Sequence, residues 1–445
     1  MNDNAYQNAL DYLYSFIDHS LTRNLRYAEE KFDLSRMITL MNILGNPQKD
    51  YDVVHIAGTK GKGSTCSMIT SILRNQGYRV GFYSSPHMID FRERIQINRD
   101  LISKEEFVGQ IEEMKGAIEN VQDVSTFEIT TALAFKYFSD KKIDIAVIEV
   151  GMGGRLDATN VVYPMLSVIT SISLDHTNIL GDTISKIAGE KAGIIKKSIP
   201  VVIGRQVDDA KVVLKRVAAE NNSPLIDVMK EYQWKQLDYS LRQQRFSVKR
   251  NGNAISKGYD FEVTMSLIGD HQLDNALTAI AAVENLPKKY PVSHDAIQRG
   301  LAEAYWPGRF EVIHQDPLII IDGAHNPDSF EKLSAAIDKF VSAKRPTLIF
   351  GASEDKDIAQ MISIILPSVD KIIFTKSAHP RAMNEDEIRE QILPFYCDDF
   401  VFMDIEVLTR EILQNTEGVY IASGSIFIAG AVQENIINIK NNETS

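Results

Sequence analysis

The densest cluster of reactive residue types is Gly58-Thr59-Lys60-Gly61-Lys62-Gly63-Ser64-Thr65, directly after the apolar run Tyr51-Asp52-Val53-Val54-His55-Ile56-Ala57. Successive backbone N–H groups in a glycine turn, backed by a helix N-terminus, form a cradle for a phosphate anion. In such a cradle Lys62 reaches the β/γ phosphates and the Ser64 hydroxyl ligates Mg2+. The loop is shorter than the standard phosphate loop, and Gly63 separates the lysine from the serine. A merely flexible turn is the plain alternative. The flanking strand and helix favour phosphate.

Two further apolar runs end in polar groups suited to the same chemistry. Ile143-Asp144-Ile145-Ala146-Val147-Ile148-Glu149-Val150 places Glu149 at a strand end, before Gly151-Met152-Gly153-Gly154-Arg155-Leu156-Asp157-Ala158-Thr159-Asn160. A carboxylate there suits a Mg2+ ligand, and an unpaired acid inside an Ile/Val run needs a reason to exist. The alternative is a capping or salt-bridged surface glutamate. Met165-Leu166-Ser167-Val168-Ile169-Thr170 leads to Ser173-Leu174-Asp175-His176, where His176 either completes a metal site or is a structural hydrogen-bonder. Lys191, in Glu190-Lys191-Ala192-Gly193-Ile194-Ile195, reads from spacing alone as a surface lysine snorkelling off a helix.

Later in the chain, Asp322-Gly323-Ala324-His325-Asn326-Pro327 ends another apolar run. An Asp and a His on such a loop face the ligand crevice of an open α/β sheet, unless the segment is only an Asx turn before a helix. Ser423-Gly424-Ser425 ends the last run similarly, to hold a carboxylate or to cap the next helix.

The elements that must carry these groups alternate strand and helix. Residues before about 50 read as helices, with Tyr6, Leu10, Leu13, Tyr14 and Ile17 at helical spacing. Cys66 to Leu73 continues as a helix that Gly77 ends. From roughly residue 230 to 268 the rhythm changes to antiparallel material, Phe246-Ser247-Val248-Lys249-Arg250 and Phe261-Glu262-Val263-Thr264-Met265 around a turn at Asn251-Gly252-Asn253. Helices near 272–286 and 293–304 precede a linker, Tyr305-Trp306-Pro307-Gly308. Four apolar runs beginning at Leu318, Thr347, Lys371 and Val419 then predict a second α/β domain. The expected fold is an α/β, P-loop NTPase-like domain with a mainly parallel sheet and a small antiparallel β subdomain, plus a C-terminal Rossmann-like domain. The expected boundary divides 1–304 from 305–445.

Composition sets the limits. The 445 residues carry 48 Lys+Arg against 60 Asp+Glu, a net charge of −12, with 44% hydrophobic and 24% charged residues. Disorder and fibrous architectures are poor readings, and a general nucleic-acid binder would carry a basic face. Two cysteines, Cys66 and Cys397, supply neither a disulfide framework nor a structural zinc site. No signal peptide opens the chain, and no apolar run approaches the ~18 residues of a membrane span. A cytoplasmic location without membrane or nucleic-acid partners is therefore expected.

Taken in order, GTKGKGST, EVGMGGRLDATN, SLDHTNILG, EKAGIIK, GDHQLDNA, WPGRFE, DGAHNP and the late SGS resemble folylpolyglutamate synthase/dihydrofolate synthase, the folate branch of the Mur-ligase superfamily, over roughly residues 20–430. The resemblance implies that ATP is held by Gly58, Thr59, Lys60, Gly61, Lys62, Gly63, Ser64 and Thr65, with Asn275, Arg309 and Asp322 gripping it from the domain junction. It implies Mg2+ at Ser64, Glu149 and His176, and a carbamylated Lys191 binding a second Mg2+. The pterin side would involve Ser125-Thr126-Phe127-Glu128, Leu156-Asp157-Ala158 and a mobile loop, Ser84-Ser85-Pro86-His87. The incoming glutamate would meet His325, Asp322 and Ser425. Lys60 departs from the Asn of many bacterial members.

The implied reaction is ATP-dependent amide formation. A folate carboxylate takes the γ-phosphoryl group, and the α-amine of L-glutamate displaces phosphate from the acyl phosphate. Lys62 and Mg2+ neutralise the developing charge, and Asp322 and His325 place or deprotonate the amine. No protein nucleophile is needed, in keeping with the lack of a Ser/His/Asp or Cys/His set. Folate or dihydropteroate and L-glutamate are the expected partners of a monomer. A cell-wall Mur ligase is a rival, but only 57 residues precede Gly58, too few for a UDP-sugar domain. A nucleotide-binding switch without ligase activity is another; it leaves the second domain's ligand loop unexplained.

Overall fold

The computed structural model describes residues 3–17, 33–251, 258–393 and 400–443. Gly252 and Asn253 of the expected turn, and Cys397, lie outside the described residues.

Eight strands form the first sheet: β1 Asp52–Ala57, β2 Val80–Tyr83, β3 Ile95–Ile97, β4 Asp100–Leu101, β5 Ile145–Glu149, β6 Leu166–Ile169, β7 Val201–Ile203 and β8 Leu225–Asp227. Their order is β4-β3-β2-β5-β1-β6-β7-β8, all pairings parallel except β2/β3 and β3/β4. The central strands read as continuous apolar runs because both faces are covered. Val54 and Ile56 pack on one side with Ile69, Leu73, Leu277 and Leu301. Val53, Ala146 and Ile148 pack on the other with Ile111, Ile129 and Leu133. Because β1 lies between β5 and β6, the order reverses at its C-terminal end, where open α/β sheets bind ligands.

The three-stranded antiparallel sheet β9 Tyr232–Tyr239, β10 Gln244–Arg250 and β11 Tyr259–Met265 is separate from the first rather than an extension of it. Its first strand was not anticipated, since burial along Tyr232–Tyr239 fades to exposed residues at its end and leaves little apolar signal. The third sheet runs in the order β12-β13-β17-β14-β15-β16, from β12 Glu311–His314, β13 Leu318–Ile321, β14 Thr347–Phe350, β15 Lys371–Phe374, β16 Val401–Phe402 and β17 Val419–Ser423. All pairings are parallel except β12/β13.

Two expectations change. The N-terminal helix Asp3–Tyr14 buries Ala9 and Leu13, but Ile17 lies beyond it and forms a parallel bridge with Ser125. The segment expected as a linker is anchored: Ser67 Oγ donates to the Tyr305 carbonyl at 2.7 Å, and Trp306 packs edge-on against Phe82 with ring centroids 5.4 Å apart.

Candidate active site

The helix Lys62–Gln76 begins immediately after the glycine loop, with Gly61 as its N-cap in the left-handed region (φ 83°). Its first-turn N–H groups have no acceptor within the helix, which leaves donors aimed into the loop. Only glycine fits twice here. A Cβ at Gly61 would run into the Asn275 amide, and one at Gly63 would lie 2.6 Å from the Trp306 ring. Asn275 and Trp306 thus wall the glycine loop from the helix Asp270–Glu284 and from the chain crossing to the third sheet.

Glu149, 4% exposed at the end of β5, faces Lys62 with Nζ 3.9 Å from Oε1. Its Oε2 is buried without a hydrogen-bond partner among the described residues. Burial pushes the carboxyl up to about 7, against the pull of Lys62 and Arg309. Ser64, 3% exposed, sits in the same first turn. A buried carboxylate oxygen without a hydrogen-bond partner among the described residues fits a divalent cation. Among the described residues no three His, Cys, Asp or Glu side chains converge into a metal site.

Lys191 lies in the helix Ile184–Ala192 and is 4% exposed, not a snorkelling surface residue. Burial, with Lys62 adding to it, lowers its amine to about 7. His176 is half exposed, with a left-handed backbone (φ 48°), and caps the short helix Thr177–Leu180. Asp175 accepts from Lys60 Nζ at 3.3 Å and from the His176 N–H at 3.0 Å. Burial would raise Asp175, but Lys60, His176, His325 and Lys356 hold it well below the usual carboxylate range.

The loops after β13, β14 and β17 face this crevice. Asp322 accepts the Phe310 N–H through Oδ2 and the Ala324 N–H through Oδ1, both at 2.8 Å, so the Asx turn exists, although burial still raises the carboxyl. His325 Nδ1 lies 2.8 Å from the Gly323 carbonyl. A carbonyl only accepts, so Nδ1 carries the proton and Nε2 presents a lone pair. Burial, reinforced by Lys60 and Lys356, lowers this imidazole to about 3 and keeps it neutral. Arg309, beside Gly323, acts electrostatically on both Asp322 and Glu149. Ser425 Oγ accepts from the Phe427 N–H at 3.1 Å, the capping role foreseen as an alternative.

The residues expected on the pterin side are largely occupied by the protein itself. Ser125 caps the helix Thr126–Asp140, and Glu128 closes a capping box with it while accepting Arg36 Nε at 3.2 Å. Thr126 Oγ1 donates to the Leu13 carbonyl at 3.0 Å. Asp157, next to Leu156 and Ala158, accepts Met152 N at 2.9 Å and Thr159 N at 3.0 Å. Phe127 lies against Gly151, where a Cβ would clash with its ring. The segment Ser84-Ser85-Pro86-His87 is tied down by Arg94, whose Nε donates to His87 Nδ1 at 2.9 Å and whose carbonyl accepts Ser84 N at 3.1 Å. Ser84 and Pro86 line a cavity of about 320 Å³ with Phe82, Glu93, Arg99 and Trp306. Sequence reasoning missed Trp306 and Lys356. The available signals were one of the chain's two tryptophans beside Pro307-Gly308, and a lysine in the loop after β14.

This geometry has known counterparts. The Mur ligase middle domain matches residues 56–283, and the Mur ligase glutamate ligase domain matches residues 308–426. The dihydrofolate synthase/folylpolyglutamate synthase of Bacillus subtilis (strain 168) is 39% identical over 389 residues, covering 85% of this chain and 86% of its own. The chain belongs to the folylpolyglutamate synthase/dihydrofolate synthase family. Members of this family with solved structures share the fold. Folylpolyglutamate synthase from Thermotoga maritima superposes with a TM-score of 0.85 at 33% identity, over 100% of this chain and 99% of its own. A folylpolyglutamate synthase solved with AMPPCP and folate superposes at 0.80 and 32% identity, over 98% and 100%. These relatives set aside both the cell-wall ligase and the non-ligase switch, and place the enzyme among ATP-dependent ligases.

Proposed function

We propose that the chain joins L-glutamate to the carboxylate of a tetrahydrofolate at the expense of ATP, and that it accepts dihydropteroate as well. The observation that carries this reading is the coupling of two half-sites. Lys62 and buried Glu149 stand at the end of the first sheet and neutral His325 with Asp322 at the end of the third, coupled because Arg309 acts on both Glu149 and Asp322 and Lys60 acts on His325. The dual name of the Bacillus subtilis relative supports the second substrate, and the complex with AMPPCP and folate supports the ligands.

In this reading residues 1–304 hold the nucleotide and 305–445 bring the amino acid. The first-turn N–H groups and Lys62 bind the phosphates, Asn275 and Arg309 fix the nucleotide from the junction, and Lys62 neutralises charge as the phosphoryl group moves to the folate carboxylate. Ser64, Glu149, His176 and a carbamylated Lys191 would hold Mg2+, which supplies Lewis-acid stabilisation of the phosphoryl oxygens. The near-neutral amine of Lys191 supports carbamylation, because only an uncharged amine captures CO2. The neutral His325 Nε2 accepts a hydrogen bond from the glutamate amine and so places it, Ser425 and Asp322 orient the amino acid, and contact between the domains keeps water from the acyl phosphate. A monomer acting in the cytoplasm completes the reading.

The test is ADP release with Mg-ATP and L-glutamate, comparing dihydropteroate with tetrahydrofolate. Release with both is expected. Release with tetrahydrofolate alone would restrict the enzyme to tail lengthening, and no folate-dependent release from folded protein would defeat the reading.

A further inference from the structure

Lys60 is joined to the segment before His176 by more than its side chain. Its backbone forms an antiparallel bridge with Ser171, donating to the Ser171 carbonyl at 3.2 Å. Its carbonyl accepts Thr170 Oγ1 at 2.7 Å, and next to it Thr59 Oγ1 donates to the Ser173 carbonyl at 3.1 Å. The phosphate loop and the segment 170–176 are therefore laced together. At the end of the lacing, Asp175 gives one oxygen to Lys60 Nζ at 3.3 Å and the other to the His176 N–H at 3.0 Å.

That second bond matters because His176 is in the left-handed region, which costs a non-glycine residue about 1 kcal/mol or more unless its surroundings hold it there. The His176 carbonyl then starts the turn that follows, accepting the Ile179 and Leu180 N–H groups at 2.8 Å. Without Lys60, Asp175 would lose its hydrogen-bonded cation and keep only the charge of Lys356 nearby; its carboxylate would turn or recruit water, and the His176 N–H would lose its anchor.

We propose that Lys60 is a positioning residue: through Asp175 it fixes the turn that presents His176, so that the phosphate loop and the metal-side histidine are set as one unit. Lys60 acts here through a carboxylate, not on the phosphates. The inference rests on reading the loop as the nucleotide site, but its first consequence belongs to the ligand-free protein.

The variants are Lys60→Met, Lys60→Arg and Asp175→Asn, with the Lys60→Met/Asp175→Asn double. In ligand-free protein, amide exchange of residues 173–181 is expected to quicken about tenfold in Lys60→Met and in Asp175→Asn, to be no faster in the double variant than in either single one, and to return toward the starting value in Lys60→Arg. The second readout is AMPPCP affinity by calorimetry with and without Mg2+. Both single variants are expected to lose most of the Mg2+-dependent gain and to keep the Mg2+-free affinity within a few-fold. Unchanged exchange in folded Lys60→Met and Asp175→Asn would overturn the proposal. So would an equal loss of AMPPCP affinity with and without Mg2+ in Lys60→Met alone, which would make Lys60 a direct phosphate contact. If Lys60→Met does not fold, Asp175→Asn and Lys60→Arg decide by the same readouts. Altered exchange without any AMPPCP binding would support the positioning role and count instead against the nucleotide reading.

Discussion

Lys62 Nζ lies 3.9 Å from Glu149 Oε1, while Glu149 Oε2 is buried without a partner among the described residues. Burial raises this carboxyl to about 7 although Lys62 and Arg309 both pull it down. A hydrogen-bonding or coordinating partner for Oε2 is what the arrangement lacks among the described residues.

Glu149→Gln should remove that destabilising charge from the ligand-free protein. The folded carboxyl titrates near 7 and the unfolded one near 4.5, so its contribution to stability is full below 4.5 and is lost as pH rises through 7. Urea denaturation at pH 5 and pH 8 should show wild type losing about 2–3 kcal/mol that Glu149→Gln keeps, while ligase activity falls roughly 10²-fold. Identical pH dependence in both proteins would refute the assignment.

Lys191 gives the second prediction. An amine lowered to about 7 is roughly one-tenth neutral at pH 6 and nine-tenths neutral at pH 8. At fixed pH, added bicarbonate should raise the initial rate, more at pH 7 than at pH 8.5. Lys191→Arg, cationic at every pH tested, should be slower by about 10²-fold and indifferent to bicarbonate. A bicarbonate response surviving in Lys191→Arg would count against the carbamate.

Gly63 tests the wall of the glycine loop. A Cβ there would lie 2.6 Å from the Trp306 ring. Gly63→Ala should cost about 1–3 kcal/mol through overpacking and weaken AMPPCP binding. Thermal unfolding and calorimetry of Gly63→Ala/Trp306→Leu should recover part of both. An additive double variant would show that the two residues do not meet.

His325 makes stability fall with acid. Its folded value near 3 lies below the unfolded 6.5, so the neutral ring's contribution is intact above 6.5 and is lost as pH falls toward 3. Wild type should lose about 1–2 kcal/mol more than His325→Gln between pH 7.5 and pH 5, the figure discounted for the partial exposure of the ring. Chemical denaturation at those two pH values measures it.

Much of the site could be read from the chain because local rules impose it. A phosphate loop needs glycines where a strand turns into a helix, and Gly61 and Gly63 stand where Asn275 and Trp306 leave no room for a Cβ. Glu149 stood out because an acid does not end an Ile/Val run without cause. The four C-terminal runs became β13, β14, β15 and β17, being apolar on both faces of a parallel sheet. Strands too short or too polar to leave a period, such as β3, β4, β9 and β16, were not legible.

What the sequence determined by itself was the kind of chemistry, because residue type and local spacing fix donors, charges and turns. Only the tertiary structure decided which of those groups act on one another. Lys191 reads as an ordinary surface lysine until the packing of Ile187, Ala188 and Ala192 buries its helix and lowers its amine. Neither Lys60 nor Asp175 predicts the other, since they are 115 positions apart and meet only because β1 and β6 are neighbours in the sheet. Desolvation and charge pairing depend on distances through space, and those are set by packing.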